Sequence, residues 1–315
     1  MKKFTLALMI VLWGFLSACG RAPVAEQPAP DQEGVFPPTV DRAGNAIEIP
    51  DQVGTILALA PSIVQVVQDL GAGDRLIGVD TWSAFTIDGV GELAQIDMMA
   101  PDLELILALA PDLILASGIM FGLDQDIFQV IMDAGIAVAQ IPTGTSLAEI
   151  QLDNQFIADA IGLHEEGLVL NEGMQAQIDE ITAMAAMIEN KKSVYFEISP
   201  LPELITFGTG TFLQEMLDLI HAENVFGNQE GWIPVTEEAA VLANPDVILT
   251  SVNFIPDAVH EILSRQGWSY VTAIQNGSVF YIDNETTNTP NHRVVIALRE
   301  MALAIYPEYF AALGE

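Results

Sequence analysis

The sequence predicts an α/β protein made of two similar lobes, each built on a parallel β-sheet. The first observation behind this prediction is a pattern that occurs twice, at residues 104–117 and 238–251, with a glutamate, a Pro-Asp pair, an Ile-Leu pair and a final serine at the same spacing. The second is the continuous apolar run near the end of each copy, which is typical of strands covered on both faces. The third is a regular alternation of strand and helix patterns. Two such lobes imply a cleft between them, and clefts are where small ligands bind.

The first lobe is predicted to span residues 40–145. Residues 40–50 are typical of a β-hairpin that turns at Gly44 and Asn45. The later elements are strand 55–60, helix 63–70, strand 76–79, the first copy of the pattern, helix 124–134 and strand 137–141.

A connecting segment follows at residues 146–192. From Glu165 onward it is rich in Leu, Met, Ala, Gln and Glu and contains no proline, which favours one long helix.

The second lobe is predicted at residues 193–315. Its elements are strand 193–198, helix 212–220, the second copy of the pattern with strand 247–250, strand 279–282 and helix 293–305.

The N-terminus is predicted to be a lipoprotein signal peptide covering residues 1–18. Lys2 and Lys3 precede an apolar stretch that is short for a membrane span, and small residues then lead into Cys19. This arrangement resembles a bacterial lipobox, in which the cysteine receives the lipid; an ordinary secretory signal is the alternative. Residues 19–39, rich in Pro, Ala and Gln, are predicted to be a flexible tether. We therefore expect a protein anchored by lipid in the cell envelope, facing the periplasm or the outer surface.

The charge balance limits the possible partners. With 43 acidic and 10 basic residues, the chain lacks the clustered lysines and arginines that nucleic-acid binding requires. The same acidity disfavours docking of the protein surface on anionic lipid, and a solvated surface explains it more simply than a dedicated basic partner. No glycine-rich phosphate loop is present. Neither a metal site nor a cofactor is predicted.

Several stretches, taken in order, resemble the iron-complex and vitamin B12 substrate-binding proteins of ABC importers. Each stretch is weak alone, but their order and spacing are specific, and the resemblance extends from about residue 40 to residue 306, with the binding domain itself at about 55–315. The stretches are residues 41–45, 56–62, 71–79, 103–113, 223–226, 235–248 and 276–280.

This resemblance implies a class III periplasmic-binding-protein fold, in which two Rossmann-like lobes are joined by a single long helix. It implies a monomer without enzymatic activity. Such a protein traps a metal chelate between its lobes and delivers it to a membrane permease that works with an ATPase. Because a rigid helix between lobes permits only modest closure, the cleft should be largely preformed.

Glu104 and Glu238 open the two copies of the duplicated pattern. In the resembling family, glutamates at these positions pair with arginines of the permease, one from each lobe, and bidentate Arg–carboxylate contacts suit that role. A glutamate in the first turn of a helix also complements the helix dipole, which is the structural alternative. Glu237 is an adjacent competitor, but the spacing to the Pro-Asp pair selects Glu238.

Four residues are predicted to contact the ligand. Trp82 and Trp232 align with aromatic residues that contact the ring in vitamin B12 receptors, Phe121 follows the end of a strand next to Met120, and Arg293 follows a loop of the second lobe. Anionic chelates call for several arginines in the cleft, and few are available. The expected ligand is therefore a corrinoid first, haem second and a neutral or cationic ferric siderophore third.

Two other classes of function stay open at this point. A receptor for a free metal ion would need clustered histidines and carboxylates, whereas the four histidines are scattered; His292 alone lies near the proposed cleft, where it could serve as an axial haem ligand. A chelatase-like enzyme on the same two-lobe fold would need acid–base residues in the cleft or cluster-ligating cysteines, and Cys19 is the single cysteine.

Overall fold

The computed structural model of the protein describes residues 37–118 and 125–314. The predicted signal peptide, the predicted lipid-attachment residue Cys19 and most of the predicted tether lie outside the described residues, and so does Phe121. Within the described ranges, no helix is long and apolar enough to cross a membrane.

The first lobe is built on a five-stranded sheet in the order β3-β2-β1-β4-β5, in which all strand pairs are parallel. Apolar clusters cover both faces of this sheet, and β1 and β4 at its centre are completely buried or nearly so. The strands are β1 Ile56–Leu59, β2 Leu76–Asp80, β3 Ala94–Ile96, β4 Leu113–Ser117 and β5 Ala137–Ile141. The helices are α1 Pro61–Asp69, α2 Thr81–Thr86, α3 Leu103–Leu109 and α4 Gln125–Asp133.

The second lobe contains a four-stranded parallel sheet in the order β11-β10-β6-β8 and a separate antiparallel pair, β7 with β9. Its strands are β6 Ser193–Glu197, β7 Ile205–Phe207, β8 Glu223–Asn224, β9 Trp232–Pro234, β10 Val247–Thr250 and β11 Val279–Tyr281. Its helices, numbered after the two that connect the lobes, are α7 Phe212–Leu219, α8 Glu237–Ala243, α9 Ala258–Leu263, α10 Thr272–Asn276, α11 Asn284–Asn288, α12 Val294–Ile305 and α13 Pro307–Phe310.

Two helices, α5 Leu147–Ala160 and α6 His164–Ala185, connect the lobes. The chain breaks between them at Gly162, whose φ of +76° suits glycine. At 22 residues α6 is about 33 Å long, enough to reach from one core to the other. Leu170 packs against the core of the first lobe, whereas Ile178 lies in the core of the second, so α6 fixes the two lobes to one rigid element.

The duplicated pattern forms the same structure in both lobes. In each copy a short helix ends in a left-handed residue, Ala110 or Asn244, and a Pro-Asp turn leads into a central strand. Asp112 accepts hydrogen bonds from the backbone N–H groups of Gly54 and Thr55, at 2.9 and 2.8 Å. In the second lobe, Asp246 accepts bonds from the backbone N–H and the hydroxyl of Ser193, at 2.9 and 2.8 Å. Each aspartate therefore ties the start of its own strand to the start of the neighbouring one.

The hairpin predicted at residues 40–50 is reduced to one bridge between Val40 and Ala46. The buried Asp41 explains the difference, because its carboxylate accepts hydrogen bonds from the backbone N–H groups of Asn45 and Gln140. The segment is therefore held as a loop against the edge strand β5 and does not extend as a second ribbon.

Candidate ligand-binding cleft

A cavity of about 300 Å³ lies between the two lobes. Its first-lobe wall takes one residue from the carboxyl end of each strand of the sheet, the edge at which open parallel sheets bind ligands. Its second-lobe wall comes mainly from α11 and the loops next to it. The first set is Ala60, Trp82, Met98, Ser117 and Ile141, and the second is Asn253, Asn284, Glu285, Asn288, Thr289 and Pro290.

Asp80, the N-cap residue of α2, holds Trp82 in this wall. Asp80 is completely buried, and its carboxylate accepts hydrogen bonds from the backbone N–H groups of Trp82 and Ser83, at 3.0 and 2.9 Å. The indole is 56% exposed and stands 6.0 Å from the Phe85 ring. A large aromatic surface is thus presented to the cleft on a helix start that is fixed by a buried cap.

Amide side chains dominate the opposite wall. Asn284 donates from Nδ2 to the carbonyl oxygen of Ser251 at 2.6 Å, and Asn288 donates to the Ser251 hydroxyl at 3.3 Å. Ser251 ends the second copy of the duplicated pattern and is fully buried. Its counterpart Ser117 ends the first copy and lines the cavity directly.

Asp153 of α5 forms part of the cavity lining and is 7% exposed. Its Oδ1 lies 2.5 Å from Nε of Arg42, with which it forms an ion pair. Burial raises the pKa of Asp153 to about 6, although the hydrogen bond and charge of Arg42 act in the opposite direction. Asp153 and Glu285 are the charged side chains found in the lining among the described residues.

Arg293, which the sequence predicts to contact the ligand, lies outside the lining of this cavity. Its guanidinium binds Asp69 of the first lobe in a bidentate manner, with both N–O distances at 2.8 Å. Nε2 of His292 donates a hydrogen bond to the same carboxylate at 2.7 Å, and burial is the largest cause of the lowered pKa of His292. Both residues therefore join the lobes to each other, because Asp69 ends α1 and α12 starts directly after Arg293.

The other arginines among the described residues are also engaged within the protein. None of them projects a free guanidinium into the cavity wall. Arg42 pairs with Asp153, Arg75 donates to the carbonyl of Ile161, Arg265 is buried against Glu197 and Glu261, and Arg299 donates to the carbonyl of Leu313.

Trp232 lies on β9, also outside the cavity lining. It is 50% exposed and packs edge-on against Phe207, with 6.2 Å between ring centroids. Of the four predicted ligand contacts, the structure thus brings Trp82 to the cavity, leaves Trp232 and Arg293 outside its lining, and does not describe Phe121.

Glu104 and Glu238 each occupy the second position of a short helix, α3 or α8, and both are exposed. The helices begin in the same way, since Asp102 and Thr236 accept hydrogen bonds from the backbone N–H three residues further on. Glu237 differs from its neighbour, because Oε1 of Glu237 accepts a 2.8 Å hydrogen bond from the indole of the buried Trp268. Of the two adjacent glutamates, Glu238 is thus the one that faces solvent.

Sequence reasoning missed the polar half of the cavity wall. In the sequence Ser117 is the end of a repeated pattern, and Asn284 and Asn288 lie in the loop segment before Arg293, which carries no recognisable motif. The spacing of four between the two asparagines places them on one face of a helix, which is the one sequence feature that could have indicated a shared role.

A two-lobed α/β protein with a cavity at the carboxyl ends of its strands belongs to the class of ligand receptors that bind between lobes. Comparison with known proteins supports this assignment. A family model described as periplasmic binding protein matches residues 56–286. An uncharacterised ABC transporter substrate-binding lipoprotein, YvrC of Bacillus subtilis, is 31% identical over 308 residues, covering 96% of this chain and 97% of the relative.

Two further similarities extend the comparison. The vitamin B12-binding protein of Vibrio parahaemolyticus is 26% identical over 261 residues, covering 80% of this chain and 89% of that protein. The crystal structure of a possible iron-binding periplasmic solute-binding protein from Staphylococcus epidermidis superimposes with a TM-score of 0.71 at 25% identity, covering 81% of this chain and 99% of that one.

The chain belongs to this family of periplasmic binding proteins. It is the substrate-binding component of an ABC importer, exported to the cell envelope, and it works with a membrane permease and its ATPase. Its relatives are named for binding and transport and not for catalysis. Among the described residues, no group of three or more His, Cys, Asp or Glu side chains is arranged to hold a metal ion.

Proposed function

We propose that this protein captures a corrinoid in the cleft between its lobes and delivers it to the permease. The observation that carries the proposal is a cavity wall in which the first lobe presents Trp82 with other apolar side chains, interspersed with polar ones, and the second lobe presents the amides of Asn253, Asn284 and Asn288. A corrinoid has broad apolar faces and a rim of carboxamide side chains. Aromatic packing against a face and amide–amide hydrogen bonds at the rim match those two surfaces.

The cavity of about 300 Å³ is smaller than a corrinoid, so the ligand would enter with one part and extend outward along the half-exposed Trp82. Trp232 and Phe121 are proposed contacts for the part that remains outside the cavity. Arg293 is a weaker candidate, because its guanidinium is already bound to Asp69.

Haem and ferric siderophores are the alternative ligands. Haem carries two carboxylates, and an anionic ferric complex carries more, so both would need cationic partners in the cleft. The arginines next to the cavity are held by Asp153 and Asp69, which favours the corrinoid. A neutral hydroxamate siderophore meets no such objection and therefore moves ahead of haem as the second candidate.

The decisive experiment is a titration of the full chain with cyanocobalamin, haem and a ferric trihydroxamate, followed by calorimetry and by absorption. We expect cyanocobalamin to bind most tightly. Tight binding of haem with no response to cyanocobalamin would contradict the proposal.

Trp82→Ala tests the aromatic contact. We expect the Kd for cyanocobalamin to rise at least about tenfold, because a ring face loses its packing partner. The Tm should change little, since Trp82 is 56% exposed. Tyr270→Ala is the matched control, because Tyr270 is an 83% exposed aromatic residue outside the cavity lining and its loss should leave the Kd unchanged.

We further propose that Glu104 and Glu238 are the docking contacts with the permease, one from each lobe. Their exposed carboxylates at equivalent helix starts support this role.

We also propose that Cys19 carries the lipid that anchors the protein, as a monomer, to the membrane. Mass spectrometry of protein isolated from membranes should find a diacylglyceryl group on Cys19 at the mature N-terminus, and an unmodified cysteine there would contradict the proposal.

A further inference from the structure

The two serines that end the duplicated pattern have different environments in the cleft. Ser251 is fully buried and holds Asn284 and Asn288 in place. Ser117 is 8% exposed and lines the cavity, but its hydroxyl finds no hydrogen-bond partner among the described residues. Buried hydroxyls are nearly always satisfied, so an unpaired hydroxyl on a residue that lines a ligand cavity suggests that the ligand supplies its partner.

The opposite wall presents hydrogen-bond acceptors to the same space. The Nδ2 donors of Asn284 and Asn288 are used on Ser251, and their Oδ1 atoms accept no hydrogen bond from any described residue. Glu285, between them on α11, is exposed, and its carboxylate forms no ion pair with a described residue. This wall can therefore receive N–H groups from a ligand.

Anionic groups would meet no positively charged side chain among the described residues that line this cleft. The charged side chains of the lining, Asp153 and Glu285, are both acidic. The nearest guanidinium groups, those of Arg42 and Arg293, are bound to Asp153 and Asp69. A ligand carboxylate placed here would find no free cation among the described lining residues to offset its loss of water.

We propose, on the basis of the proposed function, that Ser117 is a ligand-contacting residue and that the cleft selects neutral or cationic ligands rich in N–H donors over their carboxylate analogues. Ser117 binds the ligand from the first lobe. Asn284, Asn288 and Glu285 receive ligand N–H groups from the second lobe. The selection depends on both walls, because the unpaired polar atoms lie on either side of one cavity.

The first test compares Ser117→Ala with Thr206→Val. Thr206 is also fully buried with an unpaired hydroxyl, but it lies on β7 outside the cavity lining. We expect Ser117→Ala to raise the Kd for cyanocobalamin about fivefold, the usual effect of losing one hydrogen bond. Thr206→Val should leave the Kd unchanged. Equal affinities of wild type and Ser117→Ala would overturn the assignment of Ser117.

The second test measures charge selection. A cobalamin derivative with one side-chain amide hydrolysed to a carboxylate should bind wild type at least about tenfold more weakly than cyanocobalamin, and Glu285→Gln should narrow that difference. Equal binding of both compounds to wild type would overturn the selection.

The two proposals fail in different ways. If wild type binds no corrinoid, the proposed function is wrong, and the same variants are then compared on a neutral ferric trihydroxamate and an anionic ferric tricatecholate. If wild type prefers the neutral complex and Ser117→Ala weakens the binding of that complex, the inference is supported even though the ligand is not a corrinoid. Preference for the anionic complex, or binding of neither, would overturn it.

Discussion

At the scale of single residues, Asp153 shows how the cleft combines burial with charge. The carboxylate is almost completely removed from water and has one cationic partner, Arg42. Its pKa of about 6 results because desolvation outweighs the ion pair. At neutral pH the protein therefore keeps an ionised carboxylate in the cavity lining, and burying that charge lowers the stability of the fold. Such costs are common at residues that take part in binding.

Asp153→Asn should change how stability depends on pH. Because the folded-state pKa of Asp153 is raised above that of the unfolded chain, the folded protein binds a proton between about pH 4 and pH 6 that the unfolded chain does not bind. The contribution of this group to stability is thus fully present below pH 4 and is lost as the pH rises through 6. Relative to wild type, we expect the variant to gain about 2 kcal/mol in the free energy of unfolding between pH 3.5 and pH 7.

Urea denaturation at several pH values measures this difference. Asp51→Asn is the control, because Asp51 is exposed and the same loss of charge there should leave the pH dependence nearly parallel to that of wild type. A pH-independent difference between Asp153→Asn and wild type would show that burial does not control this carboxylate.

At the scale of elements, the end of α1 and the start of α12 join the lobes through polar contacts. The buried Asn291 donates to Oε1 of the buried Gln65 at 2.6 Å, and Asp69 binds Arg293 and His292. Together with α6, these contacts hold the cleft open at a defined width before any ligand arrives, which lowers the cost of binding.

Asp69→Asn should weaken this connection. Burial of Asp69 raises its pKa, but the hydrogen bonds and charges of Arg293 and His292 outweigh that effect and lower the pKa overall. A lowered folded-state pKa means that stability is present above pH 4 and is lost as the pH falls through the folded value. We expect the variant to lose about 1 kcal/mol in the free energy of unfolding at pH 7, since the pair is partly exposed.

The loss should disappear in acid, below the folded-state pKa of Asp69. Chemical denaturation at a series of pH values from 7 downward checks both parts, with Asp74→Asn as the control because Asp74 is exposed. Equal stability of Asp69→Asn and wild type at pH 7 would mean that α6 and the buried Gln65–Asn291 contact suffice to hold the lobes.

At the scale of the whole molecule, the two lobes share one construction and therefore carry equivalent surface features. The helices α3 and α8 each follow a capping residue and present an exposed glutamate. A permease that contacts both carboxylates at once would recognise the distance between lobes as well as the charges. This is a reason for the lobes to be held rigidly.

Glu104→Ala and Glu238→Ala should each reduce stimulation of the transporter ATPase several-fold, because each removes one carboxylate that can pair with a permease arginine. The Kd for the ligand should stay near that of wild type. ATPase activity of the transporter in proteoliposomes, measured with each variant, checks the prediction. Loss of ligand binding with normal stimulation would contradict the docking role.

Glu237→Ala is the matched control for Glu238→Ala. It removes the acceptor of the buried Trp268 indole, so it should lower the free energy of unfolding by about 1–2 kcal/mol while ATPase stimulation at saturating folded protein stays near wild type. The pair of variants separates a structural glutamate from a docking glutamate one residue away.

Local patterns in the chain are enough to predict the α/β fold class, the central strands and the equivalence of the duplicated segments. These features depend on neighbouring residues: an apolar run of strand length, a Pro-Asp turn and a capping residue act over a few positions. The same locality explains the errors. The hairpin predicted at residues 40–50 is shortened to one bridge, because Asp41 also binds the backbone of Gln140, 99 positions away.

In contrast, which polar groups of the cleft are paired and which are free depends on tertiary contacts. The guanidinium of Arg293 is bound by Asp69, 224 positions earlier, and nothing in the sequence around Arg293 predicts that pairing. Ser117 and Ser251 have the same place in the duplicated pattern. Ser251 accepts hydrogen bonds from Asn284 and Asn288, whereas the hydroxyl of Ser117, a residue of the cavity lining, has no partner among the described residues. The repeated sequence was therefore enough to predict two lobes of the same construction. The charge and the hydrogen-bonding capacity of the cleft between them depend instead on pairs of residues that are far apart in the chain. No local sequence pattern encodes those pairs.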